Sequence, residues 1–110
     1  MNSFNDRQKG EEARHAMKEE LRFKATARRN KLFGLWAAEQ LGLRDAAAAD
    51  YAKDVVVSDF QAPGEEDVFV KVWTDLQAKG VKLSEHQVRR EMQRLFDVAA
   101  DQVTQEVTKG

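Results

Sequence analysis

One stretch constrains this chain more than any other: residues 23–42, FKATARRNKLFGLWAAEQLG. Placed on a helix at about 100° per residue, Leu21, Ala25, Leu32, Leu35 and Trp36 form an apolar stripe. Phe23, Ala27, Phe33, Ala37 and Leu41 fall on other sides, so residues 32–38 are apolar almost all the way round. A helix of that kind is buried against several neighbours. It is far too short to cross a bilayer, which takes about 20 apolar residues, and Arg28, Arg29 and Lys31 precede or interrupt it. Gly34 sits mid-helix at a cost of about 1 kcal/mol relative to Ala, and close approach of another helix is the expected reason.

The remaining chain supplies the neighbours. Gly42 is suited to end the central helix and Asp45 to cap a second one over about residues 46–60, with Ala48, Tyr51, Ala52, Val55 and Val56 inward. The run Val55-Val56-Val57 has a strand's composition but no partner strand elsewhere, so it is read as helical. Pro63-Gly64 is the clearest break. Glu65, Glu66 and Asp67 suit the positive end of a third helix, in which Val68, Phe69, Val72, Trp73 and Leu76 recur at spacings of three and four and which Gly80 ends. Ser84 and Gln87 form a capping box for a fourth helix with the stripe Val88, Met92, Leu95, Phe96, Ala99, Val103 and Val107. Four amphipathic helices with short connections predict an all-α fold, an antiparallel four-helix bundle over residues 21–110.

Residues 1–20 differ from the rest. Their apolar content is thin, and on a helix Gly10, Ala13, Met17 and Leu21 make only a narrow seam. Ordering a residue costs roughly 1–2 kcal/mol of backbone entropy, which such a seam does not offset, so the segment reads as a flexible, helix-prone N-terminal arm that folds on a partner. Charge divides the same way: residues 1–31 hold nine Lys/Arg against five Asp/Glu, while the whole chain has a net charge of -1.

The chemistry that can be excluded is broad. With no Cys there is no disulfide, thiol nucleophile or thiolate metal site. Phosphate-loop, dinucleotide and nucleophile-elbow motifs are missing. Glu12 and His15 make a single Glu-x-x-His pair, short of what a di-iron bundle needs, and read as a surface pair. His86, in the first turn of the fourth helix, reads as exposed, and Glu39 as an interface or edge carboxylate. Arg22, Lys24, Arg28, Arg29 and Lys31 cluster in sequence but fall on opposite helix edges, which argues against a nucleic-acid surface. Nothing here points to an enzyme.

The central run ARRNKLFGLWAAEQLG resembles the signature of the zeta subunit of the alphaproteobacterial F-type ATP synthase. The opening SFNDRQKGEE, the run YAKDVV from Tyr51, Asp59-Phe60, Pro63-Gly64 and Glu66-Asp67-Val68 resemble the same family, and the likeness weakens after about Gly80. The resemblance implies a non-enzymatic regulatory inhibitor of ATP hydrolysis by the F1 sector. It implies an arm that turns helical between an alpha and a beta subunit, near gamma, and blocks rotation. Phe4, Asp6, Arg7, Lys9 and, less closely, Glu12 are the arm positions it assigns to partner binding. Gly10 departs from the family's helix-forming residues, and Arg14-His15-Ala16-Met17 replaces a more apolar stretch. The expected setting is cytoplasmic, peripheral to the membrane-bound ATP synthase, with no membrane insertion, a free monomer and no cofactor beyond weak adenine-nucleotide binding. The rival is a small nucleotide-binding or sensor bundle, which would work without residues 1–20.

Overall fold

The computed structural model describes residues 19–61 and 64–109. Four helices account for them: α1 Glu19–Gln40, α2 Asp45–Gln61, α3 Glu65–Lys79 and α4 Glu85–Lys109, with no strand among the described residues. α1 is the centre, packing most extensively against α2 and α4, while α3 closes the core mainly from the α2 side. The all-α bundle is as expected, including the helical Val55–Val57 run.

Local chemistry places the helix ends. Leu43 N–H bonds to Ala38 O at 2.9 Å and Gly42 N–H to Glu39 O at 3.1 Å, with Gly42 at φ 80. This is a Schellman cap, which requires the left-handed conformation that glycine adopts without strain. α3 ends the same way, with Val81 N–H on Leu76 O and Gly80 N–H on Gln77 O, both at 3.0 Å. The capping box of α4 is complete: Ser84 N–H donates to Gln87 Oε1 at 2.8 Å and Gln87 N–H to Ser84 Oγ at 3.0 Å. At α2 the expectation needs correcting. The Arg44 carbonyl accepts the first helical bonds, from Ala47 at 3.0 Å and Ala48 at 3.3 Å, while Asp45 is the first helical residue at φ 51.

The face of α1 also differs from the periodicity reading. Its buried residues are Ala25, Arg29, Asn30, Phe33, Gly34, Ala37 and Ala38, whereas Leu32 and Trp36 are half-buried and Leu35 is 37% exposed. Bulk misled the assignment. The inward arc uses small residues where neighbouring backbones come close, and the large side chains flank it. An ideal Cβ on Gly34 would lie 2.7 Å from Ala52 Cα and 3.2 Å from the Cβ atoms of Ala52 and Val55. Close approach is therefore the reason for this glycine, as its position predicted.

Phe33, Val55, Val68, Val72, Leu76 and Val88 are fully buried at the heart of the core, with Met92 and Leu95 closing it from α4. Trp36 stacks on Phe33 at 5.7 Å and Trp73 on Phe69 at 6.0 Å, so both indoles line the rim of the core. Phe96 is half-buried and Val107 is exposed, the one outward end of an otherwise inward α4 stripe. Between α2 and α3, Tyr51 donates to Asp75 Oδ2 at 2.8 Å, and Lys71 lies 2.9 Å from the same carboxylate oxygen. Burial, and then the bond to Asp75, raise the Tyr51 phenol above its ordinary pKa.

The first turns of α3 and α4 are joined by Arg89. Its guanidinium lies 3.8 Å from the Phe69 ring centroid, bonds both Glu66 carboxylate oxygens at 2.9 and 3.0 Å, and reaches Glu85 at 2.9 Å. The Arg89 hydrogen bonds hold the Glu66 carboxyl below the usual carboxylate range. A depressed value stabilises the fold above the unfolded-state pKa, and that contribution is lost as pH falls through the folded value.

Three sets of variants check these contacts. Gly34→Ala gains about 1 kcal/mol of helix propensity but overpacks against Ala52 at a cost of about 1–3 kcal/mol, so Tm should fall by several degrees. Phe33→Ala should cost about 3–5 kcal/mol, and Trp36→Ala less because it is only partly buried. A Gly34→Ala protein that melts at or above wild type would mean α1 and α2 separate freely. For Glu66→Gln, the Tm gap from wild type should close as pH is lowered from 7 toward about 2. A gap that stays constant across that range would rule out ionic stabilisation by Glu66.

Candidate partner-binding site

The residues assigned to partner binding, Phe4, Asp6, Arg7, Lys9 and Glu12, lie outside the described residues, as do Gly10 and His15. The structure describes the helical bundle that follows them in the sequence. α1 begins at Glu19, yet its first fully buried side chain is Ala25. Leu21 is half-buried and Phe23 is 63% exposed, so the first turn and a half of α1 overhangs the core.

The last turns of α4 clamp this overhang. Arg28 donates through Nη1 to Gln102 Oε1 at 2.8 Å and through Nη2 to Glu106 Oε1 at 2.9 Å. An Arg held by two acceptors on one helix face fixes direction as well as distance. Two troughs open along the outer edge of α1. One, of about 380 Å³, is lined by Phe23, Lys24, Ala27, Lys31 and Val56 together with Val103 and Glu106. The other, of about 410 Å³, is lined by Lys31, Leu35, Ala49, Ala52, Lys53 and Val56, with Asp50 also contributing. They share Lys31 and Val56 and so form one continuous edge.

Arg29 and Asn30 are the polar residues that the sequence reading missed. Arg29 is 4% exposed and Asn30 1%. Arg29 Nε donates to Asn30 Oδ1 at 2.8 Å, Glu65 Oε1 lies 4.0 Å from Nη1, and the guanidinium is 5.9 Å from the Phe96 ring centroid. Burial lowers the Arg29 pKa, and the Glu65 and Asp59 charges oppose that shift. Asn30 Nδ2 has no hydrogen-bond partner. A signal was present: Arg29 is four residues from both Ala25 and Phe33, and Asn30 four before Gly34, so both share the inward arc. The basic cluster is thus divided. Arg29 points inward, Arg28 is turned to α4, and Lys24 and Lys31 keep the outer edge. His86 is exposed as expected; Glu39 is exposed too and forms no ion pair among the described residues. Among the described residues no group of three or more His, Asp or Glu is placed to hold a metal, and no helix is long and apolar enough to cross a membrane.

A bundle of four helices, preceded in the sequence by a charged segment, places the chain among small all-α proteins. The chain belongs to the ATPase inhibitor subunit zeta family, which matches residues 1–102. It is similar to a protein solved by solution NMR, 46% identical, with a TM-score of 0.68 over 78% of this chain and 98% of that one. No curated protein matches it. The family match takes in the arm and nearly all of the bundle, and it assigns the chain an association with the ATP synthase and a regulatory role.

Because Glu65 is exposed and 4.0 Å away, it is a weak partner for the buried guanidinium. Glu65→Gln should therefore change stability by less than about 1 kcal/mol in chemical denaturation. Arg29→Ala should cost more, because it empties the space against Phe96 and leaves both polar ends of buried Asn30 unpaired. Equal losses in the two variants would make the Glu65 pair the dominant interaction.

Proposed function

We propose that this chain inhibits ATP hydrolysis by the F1 sector, and that its N-terminal arm is the inhibitory element. The arm folds as a helix between an alpha and a beta subunit, close to gamma, and blocks rotation there. Phe4, Asp6, Arg7, Lys9 and Glu12 make the contacts, while the bundle remains outside as an anchor. The observation that carries this reading is the family match from residue 1, through the arm and onto the overhang of α1. On this reading the protein is a cytoplasmic regulator, peripheral to the membrane-bound ATP synthase, and a monomer when free.

The energetics favour such an arm as a switchable element. Binding must offset the ordering of about fifteen residues at roughly 1–2 kcal/mol each, so the arm stays engaged only where the partner supplies large compensating contacts. Each position with better helix propensity lowers that cost.

A second reading keeps weak adenine-nucleotide binding by the bundle. Lys31 and Lys53 flank an apolar floor of Leu35, Ala49 and Val56, a pairing of ammonium groups with a hydrophobic surface that suits phosphate beside a base.

Deletion separates the readings. Ala25 is the first fully buried residue, so removing residues 1–19 takes no described core side chain with it. In steady-state ATPase assays of cognate F1, the deletion should abolish inhibition, with circular dichroism unchanged for the bundle. Full inhibition by the truncated protein would place the activity in the bundle. Gly10→Ala should strengthen inhibition by about fivefold, the equivalent of about 1 kcal/mol of helix propensity. Weaker inhibition would mean that Gly10 meets a close backbone contact in the complex.

A further inference from the structure

The outer edge of α1 takes no part in the core. Its two troughs meet at Lys31 and Val56. We propose that this edge is a second contact surface, which docks an acidic strip of the F1 head beside the point where the arm enters. The proposal rests on the arm being the inhibitory element and adds a named surface on the bundle.

Helix register is the first argument. The buried residues of α1 run from Ala25 round to Ala38, an arc of about 220° at 100° per residue. If one helix carried both arm and α1 in the complex, the seam Gly10, Ala13, Met17 and Leu21 would lie about 175° from the centre of that arc. Lys24, Lys31 and Leu35 occupy the same outward sector. A partner gripping the seam would therefore meet the Lys31 edge next, with the mass of the bundle held behind it.

Charge is the second argument. Arg28 is neutralised by Glu106 at 2.8 Å, and Lys24 lies 3.9 Å from Glu20. Lys31 and Lys53 form no ion pair among the described residues, although Asp50 lines the far end of the trough. Between the two ammonium groups lies an apolar floor that includes Leu35, 37% exposed. The complementary surface presents carboxylates to the lysines and an aliphatic side chain to the floor. Joined to the arm by the covalent chain, such a contact acts at high effective concentration, so even a weak one slows release.

The test is charge reversal in the full chain. Lys31→Glu with Lys53→Glu should weaken inhibition of cognate F1 by about tenfold, and the loss should shrink as salt is raised. Thermal melting should match wild type, since both side chains are exposed. Lys79→Glu with Lys82→Glu, exposed residues around the α3–α4 turn, serves as the control for net charge and should inhibit normally. Wild-type inhibition by the Lys31/Lys53 variant would overturn the proposal. So would unaltered inhibition with loss of ADP-induced NMR shifts, which would assign the trough to nucleotide. If the 1–19 deletion abolishes inhibition while the double reversal does nothing, the arm reading stands and this one falls. If the deletion inhibits fully, the arm reading itself has failed.

Discussion

The contact between Gly34 and Ala52 sets the geometry of this protein. Neither residue contributes much apolar area, but their small size lets α1 and α2 approach until backbone meets backbone. At that separation the large side chains on either side are forced outward to the seams, where Trp36 stacks along Phe33 and Leu32 covers the edge of the core. The core then holds β-branched residues of modest size, Val55, Val68, Val72 and Val88, around two phenylalanines, Phe33 and Phe69. A close-packed interior of this kind tolerates little change in volume. The small residues therefore specify the arrangement as much as the large ones stabilise it.

Much of this was legible in the sequence, and the reasons differ by element. The ends of α1, α3 and α4 were readable because caps are local chemistry: Gly42, Gly80 and the Ser84–Gln87 pair each act within a few residues. The α4 stripe was readable because one face carries apolar bulk and the other charge. The face of α1 was not, because residues 32–38 are apolar on nearly every side and periodicity cannot rank equal candidates. Asp45 was misplaced for a related reason. Arg44 supplies the capping carbonyl, and backbone acceptors carry no residue identity. The proposed partner contacts divide similarly. The arm assignments came from family resemblance, whereas the Lys31–Lys53 edge joins residues on two helices and exists only once those helices are packed.

Arg29 and Asn30 show what pattern reading discards. A charged residue followed by an amide looks like a solvated turn of helix, yet both side chains lie in the interior. The guanidinium is accommodated by an amide oxygen, an aromatic face and a distant carboxylate, a set that satisfies it only in part. Replacing such buried polar groups with apolar ones often leaves stability unchanged or raises it. Stability alone is therefore a weak account of why the pair occupies the inward arc.

The overhang of α1 has a mechanical consequence. A chain pulled from its N-terminus loads a helix whose first fully buried residue is Ala25 and which is gripped just beyond it by the Arg28 bonds to Gln102 and Glu106. Force applied there would peel the helix open one turn at a time, a low-resistance mode, until it reached that grip. Beyond it, α1 lies flush along α2 and α4, and further extension would have to shear two long interfaces at once. Resistance to a pull along α1 therefore rises at the Arg28 grip, and a tug of modest size would be absorbed before that point and leave the core undisturbed.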